Sequence, residues 1–539
     1  MTITHTIKRL LLFLALIMIP GTSIYAMSPN QNMEQAVELL KAKRFEQKYQ
    51  AIELLAGSAE PQAQVILKAL LERRLFKLKK DQQMVIADKQ GKEYLIQHAV
   101  TKESLGKVKK RSLKKISVNN KMRTKIRGAL ASFDLMSPDR EKRLAAVEQI
   151  LDQADIQKAT IVRPLLKEEP DEDIREAMSI IIALSDLTEG NPQQRNDAVE
   201  FLSGNIHPAV RNALNRLQQQ PQDEALASSI KLALDSIDAK LQFYSVIENL
   251  FFGLSLGSVL VLAAIGLAIT FGVMGVINMA HGELIMIGAY TTYVIQTLMP
   301  DNIGAATLIA IPAAFLVAAL VGIAIERGVI RFLYGRSLET LLATFGISLI
   351  LQQTVRSIFS PLNRSVETPS WMSGVWEINN ALSLTLNRLY IIVFCLLVFA
   401  ALFFVLKKTV LGLQVRAVSQ NRAMARAMGV RSEWVDAMTF GLGSGVAGIA
   451  GVALSQLTNV GPNLGQAYII DSFMVVVFGG VGNLWGTLVS GMSLGVANKF
   501  LEPWSGAVLA KILVLVFIIL FIQKRPKGLF PQKGRAAEG

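Results

Sequence analysis

The chain has 539 residues, of which 51% are apolar and only 18% are charged. Soluble globular proteins carry about 25% charged residues, so this composition argues against a wholly soluble protein. The charges are also unevenly spread, because 65 of the 98 charged residues lie within residues 27–245. A polar first half is therefore followed by a second half with the composition of a membrane domain.

Residues 1–26 have the pattern of a secretory signal peptide. The basic residues Lys8 and Arg9 precede an apolar core of ten residues, and a small-residue cleavage pattern follows. Ten apolar residues are too few to cross about 30 Å of hydrocarbon. We therefore expect residues 27–245 to be exported; an uncleaved anchor is the alternative, with the same consequence for this segment.

Residues 27–245 are predicted to form a mostly helical periplasmic domain with an internal repeat. The segment 51–61 recurs at 198–208 with a constant offset of 147 residues, and the match includes one glycine and one proline. Helix pairs repeated in this way are typical of solenoids, in which the apolar faces are buried only by stacking. The sequence therefore predicts an imperfect HEAT-like solenoid.

Two features interrupt the helical pattern. Residues 84–87 and 94–99 flank a Lys-Gln-Gly turn, which predicts a short β-hairpin. Residues 107–127 carry ten basic residues and no acidic residue. We interpret this run as a solvated linker or helix face; the alternative is contact with anionic lipid headgroups or with an acidic partner protein.

Long apolar segments predict a polytopic α-helical membrane domain over residues 246–530, followed by a cytoplasmic tail over residues 531–539. The predicted spans are 250–271, 281–298, 303–325, 340–358, 389–406, 436–458, 468–497 and 505–522. The segment 468–497 is interrupted by a glycine-rich break, so it counts as one crossing or two. The fold class is thus all-α, with seven or nine crossings, and we favour nine.

The distribution of Lys and Arg predicts the orientation of the membrane domain. The loops 326–338 and 407–435 and the C-terminal tail are rich in these residues, as cytoplasmic segments are, whereas loop 359–388 is balanced and suits the outside. An exported N-terminal domain and a cytoplasmic C-terminus require an odd number of crossings. This orientation also explains the basic pI near 9.7 without a role in nucleic-acid binding.

Catalytic and metal sites are not predicted. The four histidines do not cluster with one another or with the single cysteine, Cys395. This spacing argues against a structural zinc site, and one cysteine cannot form an intrachain disulfide. No G-x-x-x-x-G-K-[ST] motif occurs, so the chain brings no P-loop ATPase site of its own.

The segment 272–283, which reads GVMGVINMAHGE, places Asn278, His281 and Glu283 between two apolar spans. Polar side chains at this depth need internal partners or water, and the glycines allow a broken helix. Two interpretations stay open: these residues line the solute path, or they form a hydrogen-bond network that holds a kinked helix. Asp471, near the start of a later span, either lines the same path or caps a helix N-terminus.

The loop 412–430 predicts a short helix inside a basic cytoplasmic segment. Ala423, Ala427 and Met428 would share one face, with two arginines at its edge, and Gly429 would end the helix in the left-handed conformation. Such a helix suits docking to a soluble protein; an ordinary basic loop is the alternative. The residues that we assign to docking are Arg416, Asn421, Arg422, Ala423, Arg426, Ala427 and Gly429.

Two stripes of small residues are predicted to be helix-packing faces. The first contains Gly441, Gly445 and Gly448, and the second contains Gly482 and Gly486. In a membrane the hydrophobic effect does not drive helices together, because lipid tails are as apolar as the helix surfaces. Helices associate instead by close packing, which small residues allow. We expect these residues to pack rather than to touch the solute.

Three segments, 272–290, 416–429 and 478–491, resemble the branched-chain amino acid permease family of bacterial ABC importers. The resemblance covers roughly residues 250–530. It implies an inner-membrane permease subunit that pairs with a second permease, with two cytoplasmic ATPases and with a periplasmic solute-binding protein. ATP would be used by the partners and no cofactor would be bound by this chain. The loop 412–430 matches the short coupling helix of the family, although it lacks the full acidic consensus of other importer classes.

The long exported domain is similar to that of one branch of the family, the urea ABC transporter permease subunit. On this domain layout alone, urea is the predicted solute, and branched-chain amino acids are the alternative. A stand-alone channel or secondary carrier is a second alternative, although ion-coupled carriers usually have more acidic residues within their spans. A purely scaffolding role is disfavoured, because seven to nine spans exceed what anchoring requires.

Overall fold

A computed structural model describes residues 29–42, 44–58, 60–90, 93–152, 159–220 and 223–531. The predicted signal peptide at 1–26 and residues 532–539 of the predicted tail lie outside the described residues. The chain divides into two compact units, Met1–Asp238 and Ala239–Gly539.

The first unit is mostly helical, and its elements follow one another with short connections. In chain order they are α1 (Pro29–Leu40), α2 (Phe45–Ala56), α3 (Pro61–Leu71), β1 (Leu75–Leu78), β2 (Met84–Gln90), β3 (Glu93–His98), β4 (Ser104–Lys109), β5 (Leu113–Lys115), α4 (Asn120–Asp134), α5 (Arg140–Asp152), α6 (Ala159–Leu165), α7 (Glu172–Glu189), α8 (Pro192–Leu202) and α9 (Pro208–Gln218).

A five-stranded antiparallel sheet, in the order β4-β3-β2-β1-β5, lies within this unit. The predicted hairpin is its β2–β3 pair, in which Ala87 lies opposite Ile96. The basic run 107–127 is not a linker or a single helix face, because it contains the end of β4, all of β5 and the start of α4. β4 and β5 are the two edge strands, and lysines on such edges discourage pairing with other chains.

The sequence repeat corresponds to two similar helix pairs, α2–α3 and α8–α9. In each pair the second helix begins with a proline, Pro61 or Pro208, in its first turn. Proline is favoured there because the first amides of a helix have no partner within it. The matching apolar residues are buried in both pairs: Ile52 and Val199, Leu55 and Leu202, Leu67 and Leu214, Leu70 and Leu217. The HEAT-like solenoid itself stays a prediction.

The second unit is built from long apolar helices. In chain order the elements are α10 (Glu224–Met274), which begins within the first unit, α11 (His281–Leu298), α12 (Ile303–Gly328), α13 (Ser337–Phe359), β6 (Val375–Asn379), β7 (Leu382–Thr385), α14 (Leu386–Lys408), α15 (Val410–Gln420), α16 (Arg422–Ala427), α17 (Ser432–Ser455), α18 (Leu464–Gly479) and α19 (Leu484–Lys524). Within the described residues, six helices are long and apolar enough to cross a membrane, namely α10, α12, α13, α14, α17 and α19, and α18 is a shorter apolar helix.

The chain reverses direction inside α19, at Gly506, which has a left-handed φ of 76°. Contacts with α18 run in opposite senses on the two sides of this residue. Before it they join Gly486 to Gly479 and Ser490 to Val475; after it they join Lys511 to Asp471 and Phe521 to Phe478. The first half of α19 is therefore antiparallel to α18 and the second half is parallel to it. The predicted interruption in 468–497 is the break between α18 and α19.

The contacts show at which of two ends of the second unit each connecting segment lies. At one end, which we call the basic end, two adjoining cavities are lined by residues of the segments 272–275, 326–335, 406–426, 482–485 and 529–531. At the other end, Arg364 and Val460 exchange backbone hydrogen bonds of 2.7 and 2.8 Å. Gln296 bonds to the backbone of Glu367 in both directions there, at 2.9 and 3.0 Å. The loops predicted to be cytoplasmic thus share one end, and the predicted external loop lies at the other.

The glycines of α17 bring its backbone against neighbouring helices. A Cβ added to Gly448 would lie 2.4 Å from the carbonyl oxygen of Ala314, and one added to Gly445 would lie 2.5 Å from the Phe315 ring. Gly441 packs against Ile323 in the same way. This first stripe therefore faces α12, and any larger side chain would separate the two helices.

The second predicted stripe needs a correction. Gly482 does not lie on a helix face, because α19 begins only at Leu484; it has a φ of 77° and packs against Gly272. Gly486 does face α18, where a Cβ would lie 2.2 Å from the carbonyl oxygen of Gly479. Ser490 continues this face by donating a 2.7 Å hydrogen bond to the carbonyl oxygen of Val475.

Candidate functional site

The basic end carries a short helix, α16, whose two termini are both specified by the sequence. The Asn421 side chain accepts a 2.9 Å hydrogen bond from the amide of Met424, which caps the first turn. Gly429 follows the helix with a φ of 87°, and the amides of Gly429 and Val430 bond back to the last turn. This ending is the glycine motif that closes helices in the left-handed conformation.

Arg422, the first residue of this helix, has partners on other elements of the chain. Its guanidinium donates two 2.8 Å hydrogen bonds to the carboxylate of Asp436 on α17, whose side chain is 1% exposed. The same guanidinium lies 4.6 Å from the ring centre of Tyr334. Burial raises the pKa of the Tyr334 hydroxyl, so this ring stays neutral. Arg422 therefore ties α16 to the membrane helices.

Two other arginines of the loop also stabilise its own structure. Arg416 donates to the carbonyl oxygen of Leu406 at the end of α14. Arg426 donates a 2.6 Å hydrogen bond to the hydroxyl of Ser432, the first residue of α17. These basic residues thus help to fix the position of the loop, and Arg416 and Arg426 are also exposed at its surface.

Part of the exposed surface of the loop is apolar. Met424 and Met428 are 60% and 78% exposed, and Ala423 and Ala427 are exposed beside them. Ala425 points the other way and is buried. Four exposed apolar residues within six positions form a compact patch, and such patches mark interaction sites on protein surfaces. We call Ala423, Met424, Ala427 and Met428 the α16 patch.

Two cavities open beside α16. One, of about 830 Å³, has a polar lining that includes Glu326, Arg327, Arg331, Glu433 and the Arg422–Asp436 pair. The other, of about 670 Å³, lies between Gly272, Arg416, Asn483 and Trp485. Neither cavity is lined by Asn278, His281, Glu283 or Asp471.

The segment 272–283 is a break between two helices, as its glycines predict. α10 ends at Met274, Gly275 follows with a φ of 65°, and α11 begins at His281. The three polar residues are buried: Asn278 and Glu283 are 1% exposed and His281 is fully buried. Nε2 of His281 bonds to the carbonyl oxygen of Ala263 at 2.8 Å, so this side chain holds the break against α10.

Asn278 and Glu283 are only partly satisfied by protein partners. Oδ1 of Asn278 accepts from the amide of Ala280 at 3.0 Å, and Oε1 of Glu283 accepts from the hydroxyl of Ser348 at 3.1 Å. Nδ2 of Asn278 and Oε2 of Glu283 have no hydrogen-bond partner within the described structure. Most buried polar atoms in proteins have a partner, so each exception requires an explanation.

Asp471 is not part of this group. It is the eighth residue of α18, which begins at Leu464, so it does not cap the helix N-terminus as one alternative required. Its carboxylate pairs with Lys511 at 3.1 Å. The structure therefore brings Asn278, His281 and Glu283 together and leaves Asp471 on a different helix pair.

Sequence reasoning missed the partners of these residues. Asp436 and Tyr334 are separated from Arg422 by 14 and 88 positions, and no local pattern connects them. A signal did exist on α13, where buried polar residues recur every four positions. These residues are Thr340, Thr344, Ser348 and Gln352. A polar line of this period marks one helix face, which in a membrane must be turned inward.

Comparison with known proteins identifies the family. The model of the family described as the permease component of branched-chain amino acid transport systems matches residues 249–522. The high-affinity branched-chain amino acid transport system permease protein LivH of Salmonella typhimurium is 30% identical over 298 residues, which cover 53% of this chain and 96% of the relative. BraD of Pseudomonas aeruginosa, with the same descriptive name, has the same identity and coverage.

A more distant relative is the ribose import permease protein RbsC of Escherichia coli, 24% identical over 287 residues, which cover 51% of this chain and 85% of the relative. No solved structure matches the chain. The match begins at residue 249, so the whole first unit lies outside it. Since the family model covers half of the chain, the chain belongs to the permease family of branched-chain amino acid transport systems.

Proposed function

We propose that this chain is one of two permease subunits of an ATP-driven bacterial importer for branched-chain amino acids. The family match over residues 249–522 carries the proposal. The chain would form half of the translocation path and would hydrolyse no ATP itself. Its partners would be a second permease, two cytoplasmic ATPases and a periplasmic solute-binding protein.

The proposed orientation has nine crossings of the inner membrane, with the basic end in the cytoplasm and the first unit in the periplasm. The Lys and Arg content of the basic end supports it, because cytoplasmic loops carry these residues. The reversal at Gly506 supports an odd number, since it turns α19 into two crossings. Protease sites inserted near residues 40 and 428 test it in spheroplasts. The first should be cut and the second protected; the opposite result would overturn the orientation.

The α16 patch would contact the ATPase. Its apolar residues offer burial to a partner, and the Arg422–Asp436 ion pair connects α16 to α17. A movement of the ATPase would therefore be transmitted through that pair into the membrane helices. Burial of one large apolar side chain contributes roughly 1.5–3 kcal/mol, so replacing one by a charge should weaken docking at least about tenfold.

Met428→Glu tests this coupling in proteoliposomes that contain the complete transporter. We expect ATP-driven leucine uptake and transport-linked ATP hydrolysis to fall together by a factor of ten or more. Met136→Glu is the matched control, because Met136 is 68% exposed and lies in the first unit. Unchanged uptake in Met428→Glu, with normal assembly, would contradict the docking assignment.

The proposal also specifies which solute is transported. The relatives described above are named for branched-chain amino acids and ribose, which favours amino-acid import over the urea predicted from the domain layout. Urea stays the second candidate, because the first unit lies outside the family match. Uptake of radiolabelled leucine and urea by the same proteoliposomes separates the two. Uptake that persists without any ATPase subunit would favour a stand-alone carrier instead.

A further inference from the structure

The helix α13 turns a line of polar side chains inward. Thr340, Thr344, Ser348 and Gln352 follow one another at intervals of four residues and are 1%, 0%, 5% and 6% exposed. The opposite face is apolar and exposed; Leu342, for example, is 72% exposed. This is the reverse of a helix in water. Thr344 meets the segment before α11, and Ser348 meets Glu283 on α11; we call this line of polar residues, with the polar side chains that face it, the seam.

The seam runs along two helices that are parallel to each other. The amide of Met279 donates to the Thr344 hydroxyl at 3.1 Å, one turn before the contact between Glu283 and Ser348. Two turns beyond Glu283, the ring of Tyr290 lies 4.7 Å from that of Phe359. Both helices therefore run in the same direction, from the basic end towards the opposite end.

Glu283 lies at the middle of this seam. Ser348, its partner, follows the start of α13 at Ser337 by eleven residues, which corresponds to about 16 Å at 1.5 Å per residue. The hydrocarbon core is about 30 Å thick, so this carboxylate lies near the midplane. No ion pair involving Glu283 is found within the described residues. A carboxylate at this depth without a cationic partner marks a functional position.

Four polar atoms along the seam have no partner within the described structure. They are Oε2 of Glu283, Nε2 of Gln352, Nδ2 of Asn278 and the hydroxyl of Tyr290. All four side chains are at least nine-tenths buried. Gln352 lies one turn beyond Ser348, so its amide falls between the levels of Glu283 and Tyr290. Along the seam, the donor of Asn278 thus comes first, the acceptor of Glu283 second, and the donors of Gln352 and Tyr290 follow.

We propose that this seam binds the transported solute at the membrane midplane. The solute's N–H group would donate to Oε2 of Glu283, and its oxygen would accept from Nε2 of Gln352 and the hydroxyl of Tyr290. An N–H donor next to an oxygen acceptor is shared by an α-amino acid and by urea. The inference rests on the proposed function, and it assigns Ser348 as a positioning residue that orients Glu283.

Three variants test the site in the complete transporter: Glu283→Gln, Gln352→Leu and Tyr290→Phe. The matched control is Gln353→Leu, since Gln353 is the next residue on the same helix and is exposed. We expect each of the last two seam variants to lower solute uptake at least tenfold, and the control to stay within twofold. ATP hydrolysis in the absence of solute should stay within twofold in the control variant.

Thermal unfolding separates a binding role from a structural one. The atoms removed in Gln352→Leu and Tyr290→Phe have no protein partner, so their loss should leave Tm unchanged or raised. Glu283→Gln identifies the solute's donor group. It removes the charge that an ammonium needs but keeps an acceptor oxygen, so leucine uptake should be lost and urea uptake kept.

Binding of radiolabelled leucine and urea to the full chain in nanodiscs keeps the two proposals apart. In one outcome the wild type binds solute but shows no ATP-driven uptake, and the seam variants do not bind. This outcome would overturn the proposed function and support the seam as a binding site. Wild-type uptake that Gln352→Leu and Tyr290→Phe leave intact would overturn the seam alone. An equal loss of uptake in Gln353→Leu would also overturn the seam as a binding site, because it would indicate a general disturbance of α13.

Discussion

Removal of the Arg422 side chain should loosen the basic loop by an amount that the structure allows us to calculate. Asp436 is buried, and two 2.8 Å hydrogen bonds from Arg422 compensate its charge. Breaking a fully buried ion pair costs about 3–5 kcal/mol, because one charge is left unpaired. The Arg422 side chain is 32% exposed, so solvent reduces this value, and we expect about 2–3 kcal/mol for Arg422→Ala.

Hydrogen exchange measures this change directly in the loop. A loss of about 2–3 kcal/mol corresponds to roughly a 30- to 160-fold increase in local opening, and amides within 421–431 should exchange faster by that factor. Arg431→Ala is the control, because it removes the same charge from an exposed position of the same loop. The double variant Arg422→Leu with Asp436→Leu should recover most of the protection, since no unpaired charge remains. An increase below threefold in Arg422→Ala would refute the role assigned to this ion pair.

Two further predictions concern stability. Gly448→Ala should destabilise the second unit by about 1–3 kcal/mol, because its Cβ would lie 2.4 Å from the carbonyl oxygen of Ala314. Gly346→Ala, in a helix where nothing lies within 4 Å of the new Cβ, should instead stabilise by up to about 1 kcal/mol; unfolding in mixed micelles compares the two, and equal effects would contradict the packing. Burial lowers the pKa of His207 below 6.5, so the unfolded chain binds its proton more readily than the folded chain. Its contribution to stability is complete above about pH 6.5 and is lost as the pH falls towards the lower folded value, so His207→Asn should lessen the acid-side fall in Tm between pH 7.5 and 5.

Hydropathy predicted the membrane helices well because a bilayer leaves few alternatives. A span must be long, apolar and internally hydrogen-bonded, and α12, α13 and α14 begin and end within a few residues of their predicted limits. Hydropathy also predicts a reversal inside α19, because one predicted span ends at residue 497 and the next begins at residue 505; the structure has the reversal at Gly506.

The strands of the first unit illustrate the opposite case. The β2–β3 hairpin was predicted, because its alternation of side chains and its turn residues are local signals. β1, β4 and β5 were missed; all three are short, and β4 and β5 also lie at the sheet edges and are rich in lysine. The pairing of β4 and β5 depends on β3 and β1, and such tertiary context overrides local propensity.

At the basic end, local signals predicted the helix and distant contacts decided its chemistry. Asn421 and Gly429 specify where α16 begins and ends, and both act on backbone groups within a few positions. The pairing of Arg422 could not be predicted from the sequence, because its partner Asp436 is on another element. Charge alone could not distinguish an arginine that meets a partner protein from one that neutralises a buried carboxylate.

The glycine contacts of α17 restrict how this protein can change shape. A Cβ on Gly443 would lie 2.7 Å from the carbonyl oxygen of Gly266 on α10, and one on Gly451 would lie 2.1 Å from that of Ile285 on α11. Together with Gly448 against α12, these contacts lock four backbones in register, because sliding by one residue would drive a side chain into a peptide group. In the proposed importer, these contacts would keep α10, α11, α12 and α17 together as one rigid group during transport. The moving parts would then lie at its edge, where α13 meets this group through hydroxyls and amides that could exchange hydrogen-bond partners with a solute.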